Sequence, residues 1–320
     1  MSVTHVFKVV DGLSLEIDVV SPPTKEENSP VLLHFHGGFL VLGEKTTFPP
    51  HWLRNACQKR GWTYATASYR LLPETPGHEI LQDATDAVNW VYANISKRVI
   101  IAGSSAGGYL ALAAAAHPAT PRPLAVLSIY GMLDPASERY IRPGQPLRGP
   151  VDDEVKALDE IEAAMRSDAI GGYPFPVSPP VDRRFGWIRA LHQAAWYADV
   201  LARKPGLAGR IADEGVEAVE VEDRVLFPAS FGLKEGFPPT VLLHGDADDL
   251  VEFEQSVAVS GALEAFGVDV SLECAKGQGH GFEAKEVIDL DGDERLGDNT
   301  MIDTLKCVIA HLERHVQLCC

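Results

Sequence analysis

Short apolar runs separated by turn residues, with longer amphipathic stretches between them, set the framework of this chain. Val6 to Val10 and Leu13 to Val20 alternate apolar and polar side chains around Asp11-Gly12, a two-residue hairpin signal, so an antiparallel pair of strands opens the chain. Val31-Leu-Leu-His-Phe-His36, Trp62 to Ser68, Val99 to Ile101, Pro123 to Tyr130, Thr240 to His244 and Val268 to Cys274 read as further strands, several of them apolar throughout, as in a buried parallel sheet. Helical spacing appears in Glu79 to Asn94, Tyr109 to Ala116, Phe253 to Phe266 and Met301 to Val316. The alternation of strand and helix predicts an α/β fold with a mostly parallel central sheet and helices on both faces.

The alternation is interrupted once. From about residue 134 to 237 the pattern is helical or irregular: Val151, Val155, Leu158, Ile161 and Met165 keep a helix period, Phe185 to Leu201 reads as a second, Trp-rich helix, and Gly171 to Pro180 is Pro-rich. Val216 to Val225 alternates with glutamates and is an ambiguous strand signal. The expected organisation is a sheet domain of residues 1–133 and 238–320 with a helical cap of residues 134–237 inserted into it.

Composition narrows the class of partner. With 28 basic and 45 acidic residues the net charge is −17, which argues against nucleic acid and against anionic lipid. The scattered Cys57, Cys274, Cys307, Cys319 and Cys320 contain no C-x-x-C pair, suggesting neither a disulfide framework nor a zinc site. A reducing, cytoplasmic compartment is the expectation, since Met1 to Lys8 lacks the basic and apolar regions of a signal peptide. Val99 to Ala116 carries no charge over eighteen residues, but its central glycine and serine cluster favours a buried strand and helix over a membrane span. The terminal Cys319-Cys320 reads as a frayed tail. No metal and no cofactor is expected, and a homo-oligomer is left open.

The chemistry centres on Gly103-Ser104-Ser105-Ala106-Gly107, a G-x-S-x-G pattern between a strand and a helix. A serine at so sharp a turn stands at a strand's carboxyl end and a helix N-terminus, with glycines relieving the clash of flanking side chains. A serine nucleophile needs a base, an orienting acid and donors for an oxyanion. His280, in the glycine-rich loop Gly277-Gln-Gly-His280-Gly-Phe282 after the last strand, is the expected base. Asp248, after the preceding strand, is the expected acid, with Asp246 and Asp249 as competitors that could instead cap the next helix. The order Ser105, Asp248, His280 is that of the α/β-hydrolase architecture. Gly37 and Gly38, after the early strand, let backbone N–H groups approach a substrate oxygen, and Ala106 adds another N–H.

His36-Gly37-Gly38, Tyr69-Arg70-Leu-Leu-Pro73-Glu74, Gly103 to Gly108, and the Asp248 and His280 loops together resemble the hormone-sensitive-lipase-like (type IV) carboxylesterases of the α/β-hydrolase fold. The resemblance covers about residues 30–130 and 238–318. It implies a serine esterase working through an acyl-enzyme, with Gly37, Gly38 and Ala106 as oxyanion donors, a small-molecule ester as substrate, and no cofactor. Two departures stand out. Ser104 replaces the family's aspartate beside the nucleophile, and Phe39 stands where a third glycine is common; both are expected substrate-contacting positions. Trp187, Trp196, Tyr197, Tyr173 and Phe175 are pocket candidates whose more ordinary role is the cap's own core. The same triad could open lactones or transfer or cyclise an acyl group in a biosynthetic pathway. A binding module with an idle triad is the alternative of another class, which the presence of every expected site residue speaks against.

Overall fold

The computed structural model describes residues 2–24, 28–284, 288–291 and 300–318; the Cys319-Cys320 tail lies outside them. Its centre is an eight-stranded sheet in the order β1-β2-β4-β3-β5-β6-β7-β8. The strands are β1 (Ser2–Val10), β2 (Leu13–Val20), β3 (Val31–Phe35), β4 (Thr63–Ala67), β5 (Val99–Ser104), β6 (Ala125–Ile129), β7 (Thr240–Gly245) and β8 (Val270–Ala275). The β1–β2 hairpin turns on Asp11 and Gly12, both at positive φ, and β2 pairs antiparallel with β4; every other pairing is parallel. Alternation across the pleat assigns the two faces. Leu32, Ile100, Leu127 and Leu243 pack with α1 (His51–Lys59) and with Ile302, Leu305, Val308 and Leu312 of the last helix. Leu33, Ile101, Val126 and Leu242 face the other side, against α2 (Gly77–Asn94) and α3 (Ala106–Ala116).

Between β6 and β7 the described chain is helical, through α4 (Glu138–Ile141), α5 (Glu154–Ala164), α6 (Arg183–Gln193), α7 (Tyr197–Ala202), α8 (Leu207–Glu214) and α9 (Pro228–Phe231). After β7 come α10 (Phe253–Ala265) and α11 (Thr300–Leu318). Two expectations need correction. Phe185 to Leu201 is not one helix but α6 and α7, broken where Ala195 takes φ 56°, a left-handed conformation that cannot continue a right-handed helix. The ambiguous Val216 to Val225 forms short 3-10 turns, Val216–Ala218 and Val221–Leu226, because the inserted segment offers it no strand to pair with. Helix α1 follows Pro50 and has no forerunner in the sequence reading.

Arg184 ties the insertion down. Its guanidinium is buried, forms an ion pair with Glu74, and donates to the carbonyls of Val41 (2.7 Å) and Leu72 (3.1 Å). Removing one partner would leave the buried Glu74 carboxylate uncompensated. Arg184→Ala is therefore expected to lower stability by about 3–5 kcal/mol in urea unfolding; a loss below about 1 kcal/mol would mean that the pair holds nothing in place. The motif residue Arg70 has a parallel task, pairing with the fully buried Asp83, which Lys8 of β1 also reaches.

Candidate active site

The site lies at the carboxyl ends of β3, β5, β7 and β8, where open α/β sheets carry their chemistry. Ser105 occupies the turn between β5 and α3 with φ 55° and ψ −120°, a conformation that costs a non-glycine residue on the order of 1–3 kcal/mol. The flanking glycines are obligatory. A Cβ on Gly103 would come within 2.0 Å of the Gly107 carbonyl oxygen, and one on Gly107 within 2.0 Å of the Phe35 carbonyl oxygen. Gly103→Ala must therefore shift the turn, and a displacement near 1 Å at a nucleophile is worth about a hundredfold in reaction rate. The expected result is that much slower capture of a fluorophosphonate by Ser105; an unchanged rate would show that the turn absorbs the methyl group.

His280 and Asp248 meet. His280 Nδ1 is 2.7 Å from Asp248 Oδ2, while Asp248 Oδ1 accepts the N–H groups of Leu250 (2.9 Å) and Val251 (3.0 Å). Burial alone would raise the Asp248 carboxyl, but hydrogen bonds from His244 and His280 outweigh it and hold the group well below the usual carboxylate range. His244 is a partner that sequence reasoning passed over, although it sits in the same His244-Gly-Asp246 segment. It is fully buried, with Nε2 3.3 Å from Asp248 Oδ2 and 3.1 Å from the Val251 carbonyl, and Ser256 Oγ is 2.8 Å from its Nδ1. The competing carboxylates are committed elsewhere: Asp246 accepts from the Gly277 N–H, and Asp249 pairs with Arg148. Neither caps α10. Among the described residues no hydrogen bond joins Ser105 Oγ to His280, but both line one cavity.

The loop of Gly37 and Gly38 is aimed by its carbonyls. Tyr69 Oη donates to the His36 carbonyl (2.7 Å), and His36 Nδ1 is 2.7 Å from the Gly37 carbonyl. In a trans peptide the N–H points opposite to the carbonyl, so the N–H groups of Gly37 and Gly38 are turned away from these bonds. Neither has a backbone acceptor among the described residues. A Cβ on Gly37 would lie 3.0 Å from that of Ser105, which places this loop directly against that serine. Ala106 is the first residue of α3, where the N–H has no intrahelical partner. His36 stacks on Tyr69 at 4.2 Å, and burial lowers its pKa to about 4, so it serves here as a neutral spacer.

The cavity encloses about 350 Å³ and includes Ser104, Phe39, Phe48, Leu147, Phe175 and Phe185 in its lining. Phe39 and Leu40 both adopt left-handed backbone conformations (φ 56° and 61°), so the loop keeps a glycine-like shape with a phenylalanine in it. The Phe39 ring meets His192 edge-on at 5.0 Å. Of the inserted aromatics singled out by sequence, Phe175 lines the cavity. Tyr173 instead bonds Asp182, Trp187 donates to Glu160, and Tyr197 is buried against Tyr140. Phe185 and Leu147 line the cavity but carry no sequence signal, because an apolar side chain facing a cavity reads like one facing a core.

Residues 32–170 match a family model described as alpha/beta hydrolase fold. With the sheet order and the strand-to-helix serine turn already in place, that match decides the architecture. The chain has the α/β-hydrolase fold. Solved structures agree: an α/β-hydrolase superfamily protein from Enterococcus faecalis superposes with a TM-score of 0.69 over 98% of this chain and 99% of its own, at 17% identity. A thermophilic esterase from Thermogutta terrifontis gives 0.60 over 98% of this chain and 92% of its own, at 19% identity. By sequence, the chain is 24% identical to the non-reducing polyketide synthase pkbA of Emericella nidulans, over 87% of this chain and 13% of that protein. It thus spans only about an eighth of the length of such relatives. No helix among the described residues is long and apolar enough to cross a membrane.

Proposed function

We propose that the protein is a serine hydrolase that cleaves carboxylic esters or thioesters of apolar acyl groups through an acyl-enzyme. The observation that carries this reading is the Asp248–His280 hydrogen bond in the wall of a cavity that also receives Ser105. Ser105 Oγ attacks the acyl carbonyl carbon as its proton passes to His280 Nε2, and the carbonyl oxygen, now anionic, takes the N–H groups of Gly37, Gly38 and Ala106. The tetrahedral adduct collapses, the leaving oxygen or sulfur collects the proton from His280, and the acyl group stays on Ser105. Water repeats the sequence and frees the acid. Asp248 holds the imidazole throughout. The apolar lining, rich in phenylalanine, supports an acyl moiety that is hydrophobic and flat or of short to medium length.

Intact-mass analysis after fluorophosphonate treatment, beside an ester panel of rising acyl length, tests this. A single adduct on Ser105 and a rate maximum at short to medium length are expected. A folded sample that gains no adduct would leave the binding-module reading instead.

The polyketide synthase relatives favour a second reading of the same site, in which the acyl-enzyme passes its acyl group to an alcohol or to a nucleophile within the acyl chain. Product analysis in the presence of competing nucleophiles separates the two: hydrolysis yields only acid, transfer or cyclisation an ester or lactone.

A further inference from the structure

Glu283 is a buried acid that the proposed chemistry does not use. It lies three residues beyond His280, in the 3-10 turn Phe282–Ala284, and is completely buried. Its Oε1 accepts a hydrogen bond from Tyr130 Oη at 3.0 Å, its Oε2 is buried without a partner, and Trp52 Nε1 faces the carboxyl without a well-formed hydrogen bond. No ion pair to Glu283 is found among the described residues. Tyr130, just past β6, is held at φ 39°, and its ring packs 4.5 Å from the His280 imidazole. The same hydroxyl faces Ser104, whose Oγ is 2.9 Å from His34 Nε2. Tyr130 thus links the buried carboxyl to the imidazole and to the residue beside the nucleophile.

We propose that Glu283 is a positioning residue for the Ser105–His280 pair, acting through Tyr130, and that its negative charge supports the imidazolium formed during acylation. This rests on the reading of Ser105 and His280 given above. An ionised Glu283 grips the Tyr130 hydroxyl more tightly and places a negative charge behind the ring that carries the transferred proton. It also gives the Ser104 departure a physical counterpart: the carboxyl that the resembling esterases carry next to the nucleophile is here replaced by one reached from the histidine side. Burial pushes the Glu283 carboxyl up to about 7, so it changes charge within the working range of such an enzyme. The titratable groups around it are Tyr130, Tyr64 on β4, Cys57 on α1, and His280 and Asp248, with His34 and Arg54 beyond Tyr64. Burial raises both tyrosines, pushes Cys57 up to about 12 and lowers His34 to about 3, so none of those four titrates in the same window.

The test is the pH dependence of kcat/KM on a short-chain chromogenic ester between about pH 5 and pH 9. The wild-type acid limb is expected to carry an extra step of about tenfold as Glu283 loses its proton, so that over that interval it is steeper than a single deprotonation allows. Glu283→Gln, which keeps the acceptor for Tyr130, and Tyr130→Phe, which keeps the ring, are each expected to remove that step. Both should lower kcat about tenfold at neutral pH with KM unchanged, an effect of the order a supporting group exerts on acid–base catalysis. A wild-type limb without the step, or a Glu283→Gln profile matching wild type, overturns the proposal; Tyr130→Phe alone retaining the step overturns the route through Tyr130.

Fluorophosphonate labelling of the wild type keeps the two claims separate. No adduct defeats the serine-hydrolase reading, whereas an adduct with indistinguishable profiles defeats only this one. Stability gives a readout independent of activity. The folded carboxyl, raised above its ordinary 4.5, keeps a proton that the unfolded chain has released, so stability falls as pH rises between about 4.5 and about 7. Wild type is expected to lose urea resistance relative to Glu283→Gln across that window, and parallel curves would show that Glu283 does not titrate there.

Discussion

Ser105→Ala is expected to lower kcat/KM on a short-chain chromogenic ester by at least about a thousandfold, with the urea midpoint unchanged or raised. On the mechanism proposed above, the size follows from the loss of the group that forms the covalent bond, which would leave the backbone donors and the cavity to act on water alone. The sign of the stability change follows from the backbone. Residue 105 is held at φ 55° and ψ −120° whatever its side chain, and alanine removes a hydroxyl that makes no hydrogen bond among the described residues. Steady-state kinetics with denaturation of the same sample check both halves. Wild-type turnover in this variant would end the assignment, and Ser104, the adjacent serine, would be the next residue to replace.

Asp248→Asn should cost on the order of 10³ to 10⁴ in kcat, through the proton rather than through the shape. Asp248 is acceptor-only and is surrounded by donors: two backbone N–H groups at Oδ1, with His280 and His244 at Oδ2. An asparagine can turn its oxygen to the backbone N–H groups only by presenting its NH₂ to the two imidazoles. His280 would then have to accept at Nδ1, which puts its proton on Nε2, the atom that must receive the proton of Ser105. Stability should change with pH as well. Because the Asp248 carboxyl is held below its ordinary range, its contribution is complete above the unfolded value and is lost as pH falls toward the folded one. The wild type is therefore expected to lose its advantage over Asp248→Asn on acidification below about pH 4. A kcat loss below tenfold would show that His280 keeps its tautomer by other means.

The strand pattern was legible because a buried parallel sheet demands apolar runs of limited length, and the serine turn because its geometry admits few residues besides glycine at 103 and 107. The serine motif, the placement of each residue just after a strand, and their chain order brought out Ser105, Asp248 and His280, and the structure places the last two in contact. The break between α6 and α7 was hidden because alanine at 195 carries no turn signal. The 3-10 turns of residues 216–226 were hidden because alternating valine and glutamate fits a strand, and only the absence of a neighbouring edge rules it out. Glu283 and His244 were missed for a related reason. A buried acid and a buried histidine are written in the sequence like exposed ones, and their roles exist only through distant partners, Tyr130 in one case and Asp248 with Ser256 in the other. The Tyr69 to Glu74 block was noted as a motif, but its physical content emerged from contacts: Tyr69 holds the His36-Gly37-Gly38 loop, Arg70 holds α2, and Glu74 receives Arg184.

The aromatic pair at the cavity mouth bears on how the acyl preference could be altered. Phe48 and Phe175 meet edge to face at 4.7 Å and remain partly open to solvent, and neither belongs to the apolar cluster that unites the sheet with the inserted helices. Phe39 belongs to that cluster and Phe185 packs against it. Selectivity and foldability are thus separable at the entrance and coupled deeper in. A library confined to positions 48 and 175 can enlarge the acyl chamber at little thermodynamic expense, whereas the same exchanges at 39 and 185 would draw on the reserve that keeps the whole molecule folded.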